Sequence, residues 1–287
     1  MQNTLLPVQT TLQSKGRLLD ISKPVIMGIL NATPDSFYNK GRESGLDELL
    51  RSAEKMLKDG AAILDIGGAS TKPGAEIISK DEELKRVIPV ISTIHRHFPD
   101  AWLSVDTYNA VVAKEAVDAG ASIVNDVSAG RFDKEMLHTV AALKVPYIAM
   151  HMQGRPETMQ KDPQYGDVVT EVREYLKDVS FKCAEAGIID VIVDPGFGFG
   201  KTVEHNFAIL SSLHTFRILG KPILAGLSRK SMICKVLKVN PENALNGTTA
   251  LNMVALLQGA SILRVHDVKE AMEVVTMAQW LNSSMAQ

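Results

Sequence analysis

AWLSVDTYNAVVAKEAVDAGASIVND, residues 101–126, contains one full repeat of this chain and the start of the next. An aliphatic run at 101–105 ends on Asp106, a helical pattern occupies 110–119, and a second aliphatic run at 121–124 ends on Asn125-Asp126. Strands of a parallel sheet are covered on both faces, so they read as continuous aliphatic runs instead of alternation. Working outward, such runs occur eight times: 25–30, 61–66, 101–105, 121–124, 145–150, 191–193, 222–227 and 260–265. Helical patterns follow at 46–58, 81–98, 110–119, 133–143, 168–186, 204–213, 241–258 and 268–281. The helix at 241–258 has clear punctuation, with Asn240 at the N-cap, Pro241 in the first turn and Gly259 just past the end. Between Asn31 and His266 the repeat averages about 34 residues, the size of a βα unit. The pattern predicts an α/β protein, a (β/α)8 TIM barrel in one domain spanning 25–287. Residues 1–24 are expected to cap its N-terminal end. A doubly wound sheet ranks second, because eight parallel strands without a long break suit it less well.

Composition narrows the class. The 287 residues carry 31 Lys+Arg against 33 Asp+Glu, a net charge of −2, with 45% hydrophobic and 22% charged residues. Those values exclude disorder and collagen-like repetition. Without a basic excess, a general nucleic-acid binder gains no support. Two cysteines are too few for a disulfide scaffold, no run is long enough for a membrane span, and the first twenty residues do not form a signal peptide. A soluble, cytoplasmic protein is expected.

A barrel places its chemistry at the C-terminal ends of the strands. Reading those positions collects Asn31; Asp65 with Thr71 and Lys72; Asp106; Asn125 and Asp126; His151 and Gln153; Asp194; Ser228, Arg229 and Lys230; and Arg264 with His266. Asp106, Asn125, Asp194 and Lys230 offer acceptors, an amide and an ammonium. That set matches a flat heterocycle with a guanidine-like edge beside a carbonyl. Lys72, Arg264, His266 and the segment Ser228-Arg-Lys-Ser231, which reads as the opening of a helix, form an anion site. Any one of these residues alone would pass as a loop ion pair; gathered on one rim they indicate a phosphate or carboxylate ligand.

Four features point elsewhere. Pro195-Gly-Phe-Gly-Phe-Gly-Lys-Thr202 is one residue short of a nucleotide-binding P-loop, since Pro195 stands where the first glycine belongs. Its glycines suit a loop that turns tightly and passes close to a flat ligand. His95 and His97 are two apart on a helix and face different ways, and neither HExxH nor CxxC occurs, so the histidines build no metal centre. Cys183 and Cys234 read as buried fillers. Met150, in Met150-His-Met152, is more often core than cofactor box, though it is placed to form an apolar wall at the rim.

The strings Asn31-Ala-Thr-Pro-Asp-Ser-Phe37, Asp65-Ile-Gly-Gly-Ala-Ser-Thr-Lys-Pro-Gly74, Ser104-Val-Asp-Thr107, Asn125-Asp126, Met150-His-Met-Gln-Gly154, Asp194-Pro-Gly-Phe-Gly-Phe-Gly-Lys201, Ser228-Arg-Lys-Ser231 and Arg264-Val-His-Asp267 resemble the dihydropteroate synthase family. The resemblance runs from about Gly16 to the last helix. It implies a TIM barrel that joins 6-hydroxymethyl-7,8-dihydropterin pyrophosphate to p-aminobenzoate in folate synthesis, with Mg2+, a homodimer, and sulfonamides competing for the aminobenzoate site. By the same resemblance, Asp106, Asn125, Asp194 and Lys230 would hold the pterin, with Met150 beside it. Asn31 would coordinate Mg2+ with the pyrophosphate, and Thr71, Arg264 and His266 would hold the phosphates. Phe37, Lys72, Pro73, Phe199, Ser228 and Lys230 would line the aminobenzoate pocket, with the helix start at Ser228 taking the carboxylate. Asp106, Lys230, Arg264 and His266 would be catalytic. Two departures stand out: Ala69-Ser-Thr-Lys72 where the family has Glu-Ser-Thr-Arg, and Tyr38-Asn-Lys-Gly41 where it has Ser-Asp-Gly-Gly. Lysine lacks the bidentate fork of arginine.

Two other functions fit parts of this reading. A methyltransferase using methyltetrahydrofolate would share the barrel and pterin residues, but its substrate has no pyrophosphate for the anion set to hold. A non-catalytic pterin-binding barrel would not require Asn31, Arg264 and His266 together.

Overall fold

The computed structural model describes residues 8–32, 42–69, 78–155 and 158–285. Two short antiparallel strands come first, β1 (Thr11–Ser14) and β2 (Arg17–Asp20). Strands and helices then alternate: β3 (Val25–Asn31), α1 (Arg42–Lys58), β4 (Ile63–Gly67), α2 (Lys80–His97), β5 (Trp102–Asp106), α3 (Ala110–Asp118), β6 (Ile123–Asp126) and α4 (Met136–Leu143). They continue with β7 (Tyr147–Met150), α5 (Val168–Ala186), β8 (Val191–Asp194), α6 (Val203–Ser211), β9 (Leu224–Ala225), α7 (Ser231–Leu237), α8 (Leu245–Leu257), β10 (Ile262–Val265) and α9 (Val268–Met285). Among the described residues eight parallel strands pair in the order β8-β7-β6-β5-β4-β3-β10-β9. A parallel bridge from Val193 to Ile223 joins the two ends, so the sheet closes into a TIM barrel. The doubly wound alternative is thereby excluded. No described helix is long and apolar enough to cross a membrane.

Several strands start one or two residues later than the aliphatic runs suggested, because the first apolar residues finish the preceding helix. After α3, Gly120 takes φ +126°, a left-handed value that suits glycine. Its N–H bonds to Val117, and the Ala121 N–H reaches back to Ala116 at 2.9 Å. Gly259 and Ala260 end α8 in the same way. The helix expected at 241–258 is divided in two: Pro241–Asn243 is a 3-10 turn, held by Asn243-to-Asn240 and Ala244-to-Pro241 backbone bonds, and α8 begins only at Leu245. Asn240 caps that turn without a side-chain hydrogen bond.

The two faces of the strands have different partners. Leu64, Ile66, Leu103, Val105, Val124, Ala149, Val193 and Leu263 point outward and pack under the helices in the main core. Met27, Ile63, Trp102, Ile123, Ile148, Ile192, Leu224 and Ile262 point inward and form one apolar layer across the bore, joined by Leu12 of β1. Side chains alternate with a period of two along a strand. The next inward positions beyond that layer are therefore Ile29, Asp65, Ser104, Asn125, Met150, Asp194, Gly226 and Arg264. At that level five of the eight inward positions are polar, so the bore changes from a dry layer to a largely polar one.

Candidate active site

That polar level is wired by one arginine. Arg264 reaches up from β10, where its Nε donates to Asp65 Oδ2 at 2.7 Å and its Nη2 donates to Asp106 Oδ2 at 2.8 Å. Asn125 Nδ2 donates to the same Asp65 oxygen at 3.1 Å. Asp65 is fully buried, Asp106 nearly so, and the guanidinium is partly open toward the rim. Burial pushes the Asp106 carboxyl up to about 7, a rise that the Arg264 charge limits and the nearby Asp65, Glu83 and Asp126 carboxylates reinforce. A planar fork between two carboxylates fixes all three groups in place. Asp65 is a charge inside an otherwise aliphatic strand, and a buried aspartate needs a cation.

Across the bore, Asp194 Oδ1 accepts the Gly196 N–H at 2.7 Å. Burial raises its pKa, opposed chiefly by Lys230. Lys230 is the N-cap of α7; its Nζ donates to the Phe197 carbonyl and stands 4.5 Å from the centre of the Phe199 ring. Burial brings the ammonium down to about 8, with Asp194 and Asp106 opposing the shift and Arg264 adding to it. Met150 joins Val127, Met152, Met159, Tyr108, Phe132 and Phe199 in an apolar cluster on this side. A flat polar ring could lie with one edge on Asp194 and Lys230 and a face along that wall.

The third group lies at the outer rim. Ser228 Oγ and His266 Nδ1 are 3.0 Å apart, and the His266 N–H donates to the same hydroxyl at 3.2 Å. His266 is exposed, as is Asn31 at the end of β3. Register sets Asn31, Gly67, Asp106 and Asn125 level across four adjacent strands. Phe37, Thr71, Lys72 and Pro73 lie outside the described residues.

Four sequence expectations change here. The helix begins at Ser231, not at Ser228, because Arg229 takes φ +57° in the turn before it. The Arg229 guanidinium turns to Asp267 and forks onto that carboxylate at 2.6 and 2.9 Å. Asp126 faces outward, where it accepts Tyr147 Oη and the Ser128 and Gly130 N–H groups. Cys183 is a buried filler, but Cys234 is only half-buried. Among the described residues no cluster of three His, Cys, Asp or Glu could hold a metal.

Fold and site define a TIM barrel whose polar and charged side chains gather at the C-terminal mouth. The chain matches the pterin binding enzyme family over residues 27–266. It is 44% identical to the dihydropteroate synthase of Escherichia coli over 93% of this chain and 94% of that protein. Yersinia pestis dihydropteroate synthase, solved with a sulfonamide drug, superposes with a TM-score of 0.90 at 42% identity, covering 95% of this chain and 99% of that one. The Xanthomonas albilineans enzyme with 4-aminobenzoic acid gives a TM-score of 0.89 at 40% identity, covering 96% and 99%. The chain belongs to the dihydropteroate synthase family.

Proposed function

We propose that the mouth of the barrel carries out the family's reaction with a division of labour among the three groups just described. The reaction joins 6-hydroxymethyl-7,8-dihydropterin pyrophosphate and p-aminobenzoate into 7,8-dihydropteroate, releasing pyrophosphate. The observation that carries the reading is the Arg264 fork on Asp65 and Asp106, set level with Asn125 and facing Asp194 and Lys230. Asp194 accepts the guanidine-like edge of the pterin, Lys230 donates to its carbonyl, Asn125 holds its flank and Met150 packs beside it. As the C–O bond to pyrophosphate breaks, positive charge spreads from the methylene into the ring. Asp106 stabilises that charge, and Arg264 keeps its carboxylate aimed. This is electrostatic stabilisation directed at charge that develops only near the transition state. Arg264 and His266 receive the departing anion, with Thr71. The neutral arylamine then attacks the methylene carbon and gives up one N–H proton to solvent, and the family resemblance assigns its binding to Phe37, Lys72, Pro73, Phe199, Ser228 and Lys230. The relatives' complexes with a sulfonamide and with 4-aminobenzoic acid support an aminobenzoate pocket that sulfonamides also enter.

Mg2+ suits the donor set. It binds phosphates through a few oxygen ligands and keeps its waters, so it needs no all-protein cage. Asn31, exposed at the end of β3, supplies one neutral oxygen at the rim. The ion would neutralise pyrophosphate as a leaving group. We also place the enzyme in the cytoplasm as a homodimer; its apolar outer residues on α8 and α9 support the second of these.

Pyrophosphate release from the pterin pyrophosphate, aminobenzoate and Mg2+ tests the whole reading. Turnover is expected, together with its loss in excess chelator while a pterin lacking phosphates still binds. A folded protein without turnover would sink the assignment, and full activity in chelator would remove the metal from it.

A further inference from the structure

Lys201 ends the glycine-rich loop that resembles a P-loop, yet its side chain is buried, only 3% exposed. Its Nζ donates to the Gly196 and Phe199 carbonyls, both at 3.0 Å, and meets His151 Nδ1 at 2.9 Å. His151 is held neutral by burial and by the Lys201 and Arg131 charges, with its pKa driven down to about 2. An edge-to-face contact with Tyr175 at 4.9 Å fixes that ring. Tyr165 Oη donates to the Gly200 carbonyl at 2.8 Å and closes the loop from the other side. Burying an amine costs several kcal/mol unless its geometry compensates. An apolar side chain would fill the same space without that cost.

The loop's carbonyls explain the lysine. Those of Gly196 and Phe199 turn toward Lys201, while that of Phe197, between them, turns the opposite way and accepts Lys230 Nζ. Gly196, at φ +71°, allows the reversal; a Cβ there would run into the His151 carbonyl. We propose that Lys201 is the positioning residue for Lys230 and Phe199. By drawing two carbonyls inward, it leaves the third aimed at the Lys230 ammonium and sets the Phe199 ring against it. The proposal rests on the reading of Lys230 as a substrate-binding group.

The test follows kcat/KM against pH. Lys230 is faced by Asp194, Asp106, Arg264 and, through the loop, Lys201. In the wild type its deprotonation gives a basic limb near 8, absent from Lys230→Met. In Lys201→Met the loop relaxes and water reaches Lys230. The limb is then expected to move up by about one pH unit, and kcat/KM to fall on the order of 100-fold, as for a small misplacement of a binding group. His151→Leu is expected to shift the limb the same way, and His151→Asn, which restores an acceptor, to bring it back. Circular dichroism confirms folding of each variant. An unmoved limb in folded Lys201→Met overturns the proposal. If that variant does not fold, an unmoved limb in His151→Leu does so. Full activity in Lys230→Met would instead overturn the assignment of Lys230 itself.

Discussion

Asp194 and Asp106 are both buried at strand tips, but their neighbours differ. Asp194 is braced by a backbone N–H and faces an ammonium, which suits a constant partner for the guanidine-like pterin edge. That contact is made equally before and during reaction. Asp194→Asn would present a donor where acceptors are needed, weakening pterin binding by roughly 1.5–3 kcal/mol, the worth of a hydrogen bond to a charged group. Asp106 is held by Arg264 on the side where positive charge grows. Asp106→Asn is expected to lower kcat by about 10²-fold with a smaller effect on affinity. The sign of the pH dependence follows from its pKa near 7: protonation on acidification removes the stabilising charge, so the rate falls below that pH. Single-turnover rates and calorimetry on both variants check the division. An Asp106→Asn enzyme with reduced affinity but an unchanged rate would show that the carboxylate only binds.

At the scale of elements, the β1–β2 hairpin closes the bore from below. Leu12 is fully buried among the inward residues of the strands, and Asp190 at the foot of β8 accepts the Gln13 N–H at 2.5 Å. Truncating a leucine in such a layer leaves a cavity, so Leu12→Ala is expected to cost about 2–5 kcal/mol. Denaturant midpoints measure this, and a loss below 0.5 kcal/mol, about what a surface substitution gives, would mean that the hairpin is loosely attached. The eight strands were legible because aliphatic runs survive burial on both faces. That same burial hid which residues face the bore. Trp102 and Leu103 look equivalent in sequence, yet one lies in the inner layer and the other under the helices. Asp106, Asn125, Asp194 and Lys230 were collected because active residues sit where runs end. Asp65 and Arg264 were collected in the same way, but their pairing was not legible, since 199 residues separate them and only barrel closure brings β10 beside β3. Lys201 was read as the end of a nucleotide-like motif and of one family string, with no role of its own, because nothing local shows that a loop lysine turns inward to its own carbonyls.

For the whole molecule, the outer helices pose a separate question. α8 and α9 pack against each other, and Leu251, half-buried, turns toward the core. Val254 and Leu257 face outward one turn apart on α8, and Met277, Trp280 and Leu281 do so on α9, with Trp280 73% exposed. Scattered apolar residues on a surface are ordinary, but a large aromatic and four further exposed apolar side chains on two helices that pack together favour a covered face. An isologous two-fold contact would bury the same residues on both copies. Light scattering at micromolar concentration is therefore expected to give twice the chain mass of 31.2 kDa. Trp280→Lys would place a charge in that contact and is expected to return the mass to the monomer while the barrel core, which does not include Trp280, stays folded. A wild-type protein that is monomeric at that concentration would leave these helices as plain outer surface.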